Sequence, residues 1–289
     1  MTDRLAFSGL VTLAGGFFFC LGCLIALLFR MIWPTTFTVA FCCAILMAQP
    51  VTSMSAHGWS ALGIAILVGF LLSLMLRNGL LTVWKLWRAT RHLIQTTHAV
   101  RLPQPPVVTR LASRLGLTTA LVVVPDRKPF SFCYGLWQPR ICLSLGLVDL
   151  LTEAELEAVL WHEAYHLRRR EPLRMVIALC LSRIFFFIPL LAELRDHYLT
   201  EKELAADTAA EAHTSRAALA GALYKLLTLK TPFTLPPMAA AAGLSVTAQR
   251  VDRLLTSSTG TPWAPSGWSI WSALAIFTFG CLLMVIKLG

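Results

Sequence analysis

The sequence predicts a mostly α-helical membrane protein: transmembrane helices plus a cytoplasmic α+β domain with a small β-sheet. Three observations predict it. Of the 289 residues 56% are apolar and 14% charged, with mean hydropathy +0.68, whereas soluble domains are about a quarter charged. The charge is also segregated: Leu5 to Phe29 and Met31 to Leu76 carry no charged side chain, and most of the charge lies in residues 85–266. Within that block the apolar pattern changes from short β-branched runs to a helical period. Together these exclude a disordered chain, a disulfide-stapled secreted domain and a simple cytosolic enzyme.

The first uncharged stretch reads as one transmembrane helix, about 6–29. The second is too long for one span and breaks at Gln49-Pro50 and near His57-Gly58, giving helices at about 33–54 and 60–83, each close to the ~20 residues a bilayer requires. A fourth candidate runs from Trp268 to Ile286. The expected organisation is therefore a three-helix transmembrane region at 1–84, a cytoplasmic domain at 85–266 and a C-terminal transmembrane helix at 267–289. Arg77, Lys85, Arg88 and Arg91 crowd the end of the third helix, while the loop before it is uncharged. The positive-inside rule then places the domain in the cytoplasm and the N-terminus outside. Lys287 fits this orientation less well.

The eight cysteines are scattered, and most fall in apolar runs. Cys20-x-x-Cys23 lies inside a lipid-length segment without a second pair, so helix packing is the reading for it. A net charge of +10 in such a protein points to anionic membrane lipids, and no direct nucleic-acid binding is expected.

Inside the domain, Arg101-Leu-Pro-Gln-Pro-Pro reads as a linker and Val107–Leu115 as a short helix. Ala120–Val124 is a β-branched strand, and Phe130–Tyr134 with Arg140–Ser144 form a hairpin through Gly135 and Pro139. Thr152-Glu-Ala-Glu155 is a capping box opening a helix that can run to Arg170, before Pro172 discourages continuation.

That helix carries His162-Glu163-Ala164-Tyr165-His166. Side chains four apart share a helix face, so the two imidazoles can bind one Zn²⁺ and Glu163 projects toward the position where water binds. Such a carboxylate is suited to be the general base in peptide hydrolysis. Downstream, Glu203 and Asp207 share a helix face. Glu203 is the economical third ligand, with Asp207 supporting a zinc-bound histidine; Glu201 competes for the ligand role. One Zn²⁺ per chain is expected.

The apolar stretch 175–192 lies between the two halves of this site and has Arg183 at its centre. A full crossing would separate Glu203 from His162 and His166 by the bilayer. The expectation is an apolar helix buried in the domain or at the membrane surface, with a re-entrant hairpin as the alternative and Arg183 facing a polar partner.

Three runs then resemble a known family. These are Pro129-Phe-Ser-Phe-Cys-Tyr-Gly-Leu-Trp-Gln-Pro-Arg-Ile-Cys-Leu-Ser, Leu151 through His166, and Glu203-Leu-Ala-Ala-Asp207, with Gln249-Arg-Val-Asp-Arg-Leu-Leu near the end. They look like the BlaR/MecR-type membrane zinc metallopeptidases, gluzincins related distantly to HtpX and Ste24-type proteases. The resemblance covers roughly residues 101–257. It implies that His162, His166 and Glu203 bind zinc, that Glu163 is the base, and that Asp207 supports the site. Phe130, Ser131, Phe132, Cys133 and Tyr134 would form the edge holding substrate extended.

A gluzincin usually adds an oxyanion stabiliser, and His213, His197 and Arg216 are the candidates. The antibiotic-sensing members carry a penicillin-binding domain; no Ser-x-x-Lys occurs here, so a covalent β-lactam sensor is not expected. Arg168, Arg169 and Arg170 form a basic face for lipid headgroups or an acidic partner. Trp263, Trp268 and Trp271 suit an interfacial belt or packing, and the Thr231–Gly243 loop suits a cover over the cleft or a plain linker.

The function implied is regulated proteolysis at a bacterial inner membrane. The substrate would be a cytoplasmic protein such as a transcriptional repressor, with a sensor partner or a second copy of the chain as an associate. The competing readings are an HtpX-like quality-control protease and a non-catalytic, zinc-stabilised signalling subunit.

Overall fold

The computed structural model describes residues 3–19, 22, 56–99, 103–228, 250, 253 and 263–288. The element order is α1 (3–19), α2 (Ala56–Ala99), α3 (Pro106–Leu115), β1 (Leu121–Val124), β2 (Ser131–Tyr134), β3 (Arg140–Ser144), α4 (Leu145–Leu150), α5 (Glu153–Arg168), α6 (Glu171–Ile184), α7 (Pro189–Glu211), α8 (Arg216–Thr228) and α9 (Gly267–Leu288). The chain divides into two compact units. One comprises Met1–Ser8, Leu81–Cys180 and Leu194–Ala264; the other comprises Gly9–Leu80, Leu181–Glu193 and Pro265–Gly289.

In the first unit the sheet has the order β1-β3-β2. β2 and β3 are the expected antiparallel hairpin, with Phe132 opposite Cys142, and Gly135 supplies the φ of +92° that its turn requires. β1 joins β3 in parallel, Val122 opposite Cys142, which leaves β2 at the sheet edge. Leu121, Val123, Ile141 and Leu143 share a core with Val108 and Leu111 of α3, Leu147 of α4, and Leu156, Val159 and Leu160 of α5. Each such side chain, fully buried, contributes about 1.5–3 kcal/mol, so the sheet and α5 are clamped as one body.

α5 begins where its chemistry says it should. The Thr152 hydroxyl accepts from the Glu155 N–H while the Glu155 carboxylate accepts from the Thr152 N–H. Glu155 also accepts from Lys225 of α8, at 2.6 Å. The helix ends at Arg168, two residues before the expected limit, because Arg170 turns into the left-handed region at φ 52°. Pro172 falls in the first turn of α6, where no intrahelical N–H is needed.

In the second unit, Phe185 meets the rings of Phe17 and Phe18, and Phe17 also meets Phe277. Glu193 accepts hydrogen bonds from the Ser266 and Ser269 hydroxyls at the start of α9. The single apolar helix expected over 175–192 is instead divided: α6 stops at Ile184, a turn follows, and α7 starts at Pro189, proline being suited to a helix first turn. Arg183 is exposed.

The helix expected over 60–83 continues to Ala99. Hydropathy falls at Lys85 but helical geometry does not, and Arg88 over Trp84 and Arg91 over Trp87 link successive turns. The expected helix 33–54, most of 20–29 and the Thr231–Gly243 loop lie outside the described residues. Among the described residues no helix is long and apolar enough to cross a membrane.

Candidate metal centre

Three elements build the site. α5 presents His162, Glu163 and His166 from one buried stretch, α7 presents Glu203 and Asp207, and β2 presents Ser131. α5 packs directly on β2 and β3, which is why a strand residue reaches the helix motif.

The metal-capable atoms converge. One donor atom each from His162, His166 and Glu203 lie within 4.8 Å of one another. The two Nε2 atoms are 3.1 Å apart, His162 Nε2 is 3.4 Å from Glu203 Oε2, and His166 Nε2 is 3.7 Å from Glu203 Oε1. Donors about 2.0–2.1 Å from a tetrahedral Zn²⁺ stand roughly 3.3 Å apart, so these spacings fit one such ion. Neither Glu203 oxygen makes a hydrogen bond, although both are buried; buried carboxylates normally have partners. A cation among these donors accounts for that.

The surroundings favour positive charge. Asp207 Oδ1 is 2.9 Å from His162 Nδ1, and Asp207 also receives two hydrogen bonds from Arg250, at 2.7 and 2.6 Å. An Arg250 Nη1 is 3.5 Å from Glu203, and Lys202 Nζ is 3.1 Å from it. Burial raises the Glu203 carboxyl, but Lys202 and His166 outweigh it and hold it well below the usual carboxylate range. Burial likewise raises Asp207 and is outweighed by His162 and Arg250. Burial lowers His162, yet its contacts with the Asp207 and Glu203 carboxylates push it up to about 9. His166, driven mainly by burial, falls well below the ordinary imidazole value. The donor set thus keeps its carboxylates ionised.

Glu163 differs from Glu203. Burial, reinforced by Glu203, pushes it up to about 7 against the lowering effects of His162, Ser131 and Lys202. Its Oε1 accepts from the Ser131 hydroxyl at 2.8 Å, while Oε2 has no partner.

The structure therefore brings together His162, Glu163, His166, Glu203, Asp207 and Ser131. The histidines considered for oxyanion stabilisation lie outside the donor cluster. His213 stacks on Trp161 at 3.7 Å and His197 on Trp263 at 4.4 Å, while Arg216 pairs with Glu211. Phe130 stacks on Phe132, Phe132 meets Tyr134 edge-on, and Cys133 is a buried free thiol whose pKa burial pushes up. The residue that sequence reasoning left without a role is Arg250. It stands in the quoted Gln249-Arg-Val-Asp-Arg run, but 43 residues separate it from the carboxylate it engages.

Residues 44–254 match the family described as BlaR1 peptidase M56. The chain belongs to that family. All six residues of the cluster and Arg250 fall inside the span matched to the M56 peptidases. The chain is also 33% identical over 106 residues to "Protease HtpX homolog 2" of Methanosarcina acetivorans, covering 36% of this chain and 35% of that protein. It is 33% identical over 130 residues to "Protease HtpX homolog" of Aeropyrum pernix, covering 42% and 40%. It thus spans well under half the length of these curated relatives.

Proposed function

We propose that this M56 family member is a membrane-anchored, zinc-dependent endopeptidase that hydrolyses peptide bonds in a cytoplasmic or membrane-proximal protein. The observation that carries the reading is the buried convergence of His162, His166 and Glu203 donors beside Glu163. A structural zinc site is closed by four protein ligands and needs no base; three donors with a neighbouring free carboxylate oxygen suit catalysis instead.

Zn²⁺ at these donors would supply Lewis acidity, activating water and polarising the scissile carbonyl. Asp207 holds the His162 Nδ1–H, which leaves Nε2 as the donor. The Ser131 hydroxyl orients Glu163 through Oε1, and Oε2 takes the proton of the attacking water and later delivers it to the leaving amine. Arg250 fixes Asp207 and braces Glu203. Substrate would lie extended along β2, the sheet-edge strand. Because Ser131 through Tyr134 and the whole donor cluster are buried, substrate entry requires a covering segment to move aside.

The uncharged stretches of the sequence and the basic residues at the end of the third expected helix support anchoring in a bacterial inner membrane, the domain cytoplasmic and the N-terminus outside. On this reading the apolar stretch 175–192 does not cross the bilayer, since His162 and Glu203 share one site.

The test is Glu163→Gln in the full chain. Zinc content should match wild type, while cleavage of a substrate repressor encoded beside its gene should fall by orders of magnitude. Persistent cleavage by this variant would end the proposal. The similarity to proteases named HtpX homologues favours a second reading, quality control of membrane proteins. Quantitative proteomics of wild-type and Glu163→Gln cells separates the two: one accumulating protein supports a defined substrate, and many damaged ones support quality control. If Glu163→Gln kept the cellular phenotype and His162→Ala lost it, the chain would be a zinc-stabilised signalling subunit.

A further inference from the structure

The face of α5 beside the metal donors carries a second constellation. A cavity of about 270 Å³ is lined by Arg4, Trp161, Tyr165, Arg168, Arg169 and His213. Trp161, Tyr165 and Arg168 recur at helical spacing on α5 and Arg169 caps its end, and Trp161 and Tyr165 each immediately precede a motif histidine. Aromatic faces hold two of the guanidiniums: Arg168 lies 5.1 Å from the Trp161 ring and Arg169 lies 4.9 Å from the Tyr165 ring. His213 lies flat on Trp161. Three guanidiniums line this cavity, and Asp3 engages one of them, Arg169, at 3.3 Å while accepting from the Tyr165 hydroxyl at 3.2 Å. Arg169 Nη1 is buried and has no hydrogen-bond partner.

We propose that this cavity is a binding site for a phosphate-bearing anion: a single phosphoryl group with a small organic substituent. Three points fix that class. Guanidinium forks match phosphate oxygens in pairs. Stacking on aromatic rings restricts the arginines before the ligand arrives. The volume is smaller than the 300–1,000 Å³ typical of sites for drug-sized molecules, which suits a phosphomonoester or headgroup and excludes a nucleoside triphosphate. The ligand completes the buried Arg169 fork, and it sits one residue from each of His162 and His166.

The same chemistry is offered by a free phosphate ester or by a phospholipid headgroup, and the test distinguishes them. The full chain in a neutral detergent is titrated calorimetrically with inorganic phosphate, with glycerol 3-phosphate, and with detergent micelles doped with phosphatidic acid or phosphatidylcholine. Saturable binding of the soluble anions assigns a free phosphate ester, and binding confined to phosphatidic acid micelles assigns a headgroup. In either case Arg168→Gln, at an exposed side chain that folding does not need, should weaken binding by about tenfold or more through the loss of a charge-assisted bond. Arg169→Gln should do the same. Arg114→Gln, which removes an equal charge on α3, should leave it unchanged. Absence of saturable binding to every phosphate probe, or equal weakening by Arg114→Gln and Arg168→Gln, overturns the proposal.

Discussion

The Nδ1 of His162 on α5 lies 2.9 Å from Oδ1 of Asp207 on α7, although 45 residues separate them in the chain. This contact fixes the imidazole tautomer. With Nδ1–H given to the carboxylate, the Nε2 lone pair faces His166 and Glu203. Loss of such a partner costs roughly 10–100-fold in metal affinity. Asp207→Asn should therefore bind zinc that much more weakly in competition with a chromophoric chelator, while Glu163→Gln stays near wild type. Equal affinities for wild type and Asp207→Asn would remove Asp207 from the support of the site.

Arg250 is 0% exposed and pairs with Asp207 and Glu203. Arg250→Met removes a buried cation from two carboxylates that keep His162 and Lys202 beside them, and breaking such a buried pair from one side costs about 3–5 kcal/mol. Arg250→Lys keeps the charge but loses the two-pronged contact, so it should fall between. Thermal unfolding of the three proteins in one detergent gives the order, and a neutral Arg250→Met would contradict it.

Chelation should destabilise the fold, because the site mostly disappears when the chain unfolds. A metal present at a thousandfold excess over its Kd stabilises by about 4 kcal/mol. The melting temperature should drop on adding chelator and return with Zn²⁺, and Glu203→Ala should show neither response.

Glu155 tests the capping box. Burial raises its carboxyl, but the Lys225 hydrogen bond, the Thr152 contacts and the Lys225 charge bring it below the ordinary glutamate value. A group whose folded pKa is depressed stabilises above its unfolded pKa, about 4.3 for Glu, and loses that contribution as pH falls through the folded value. Lys225→Met should therefore be less stable than wild type at pH 7, by less than about 1 kcal/mol because Lys225 is a third exposed. The gap should close in acid. A gap of constant size from pH 7 down to acid would assign the loss to packing.

Much of this was readable where chemistry is local in sequence. The capping box announced the start of α5, the spacing of His162 and His166 announced a shared face, and Glu203 with Asp207 announced a second. The hairpin followed from alternation around Gly135. What was not readable depends on contacts between distant segments. An arginine 43 residues beyond Asp207 has no local mark that separates it from other arginines. Nothing in Leu121–Val124 says that its partner is the far strand of the hairpin, in parallel. Helix α2 outran its expected end because the expectation followed hydropathy, whereas helical geometry depends on backbone bonding that continues through Lys85 and Arg88.

His162 and Glu163 are 0% exposed. On the proposed reading that is a resting posture, like scissors stored shut. Copy number alone would then not set how much cutting occurs in the cell; the fraction of time each molecule spends ajar would. A stimulus could raise turnover without new synthesis, and the chain could accumulate beside its neighbours without harming them.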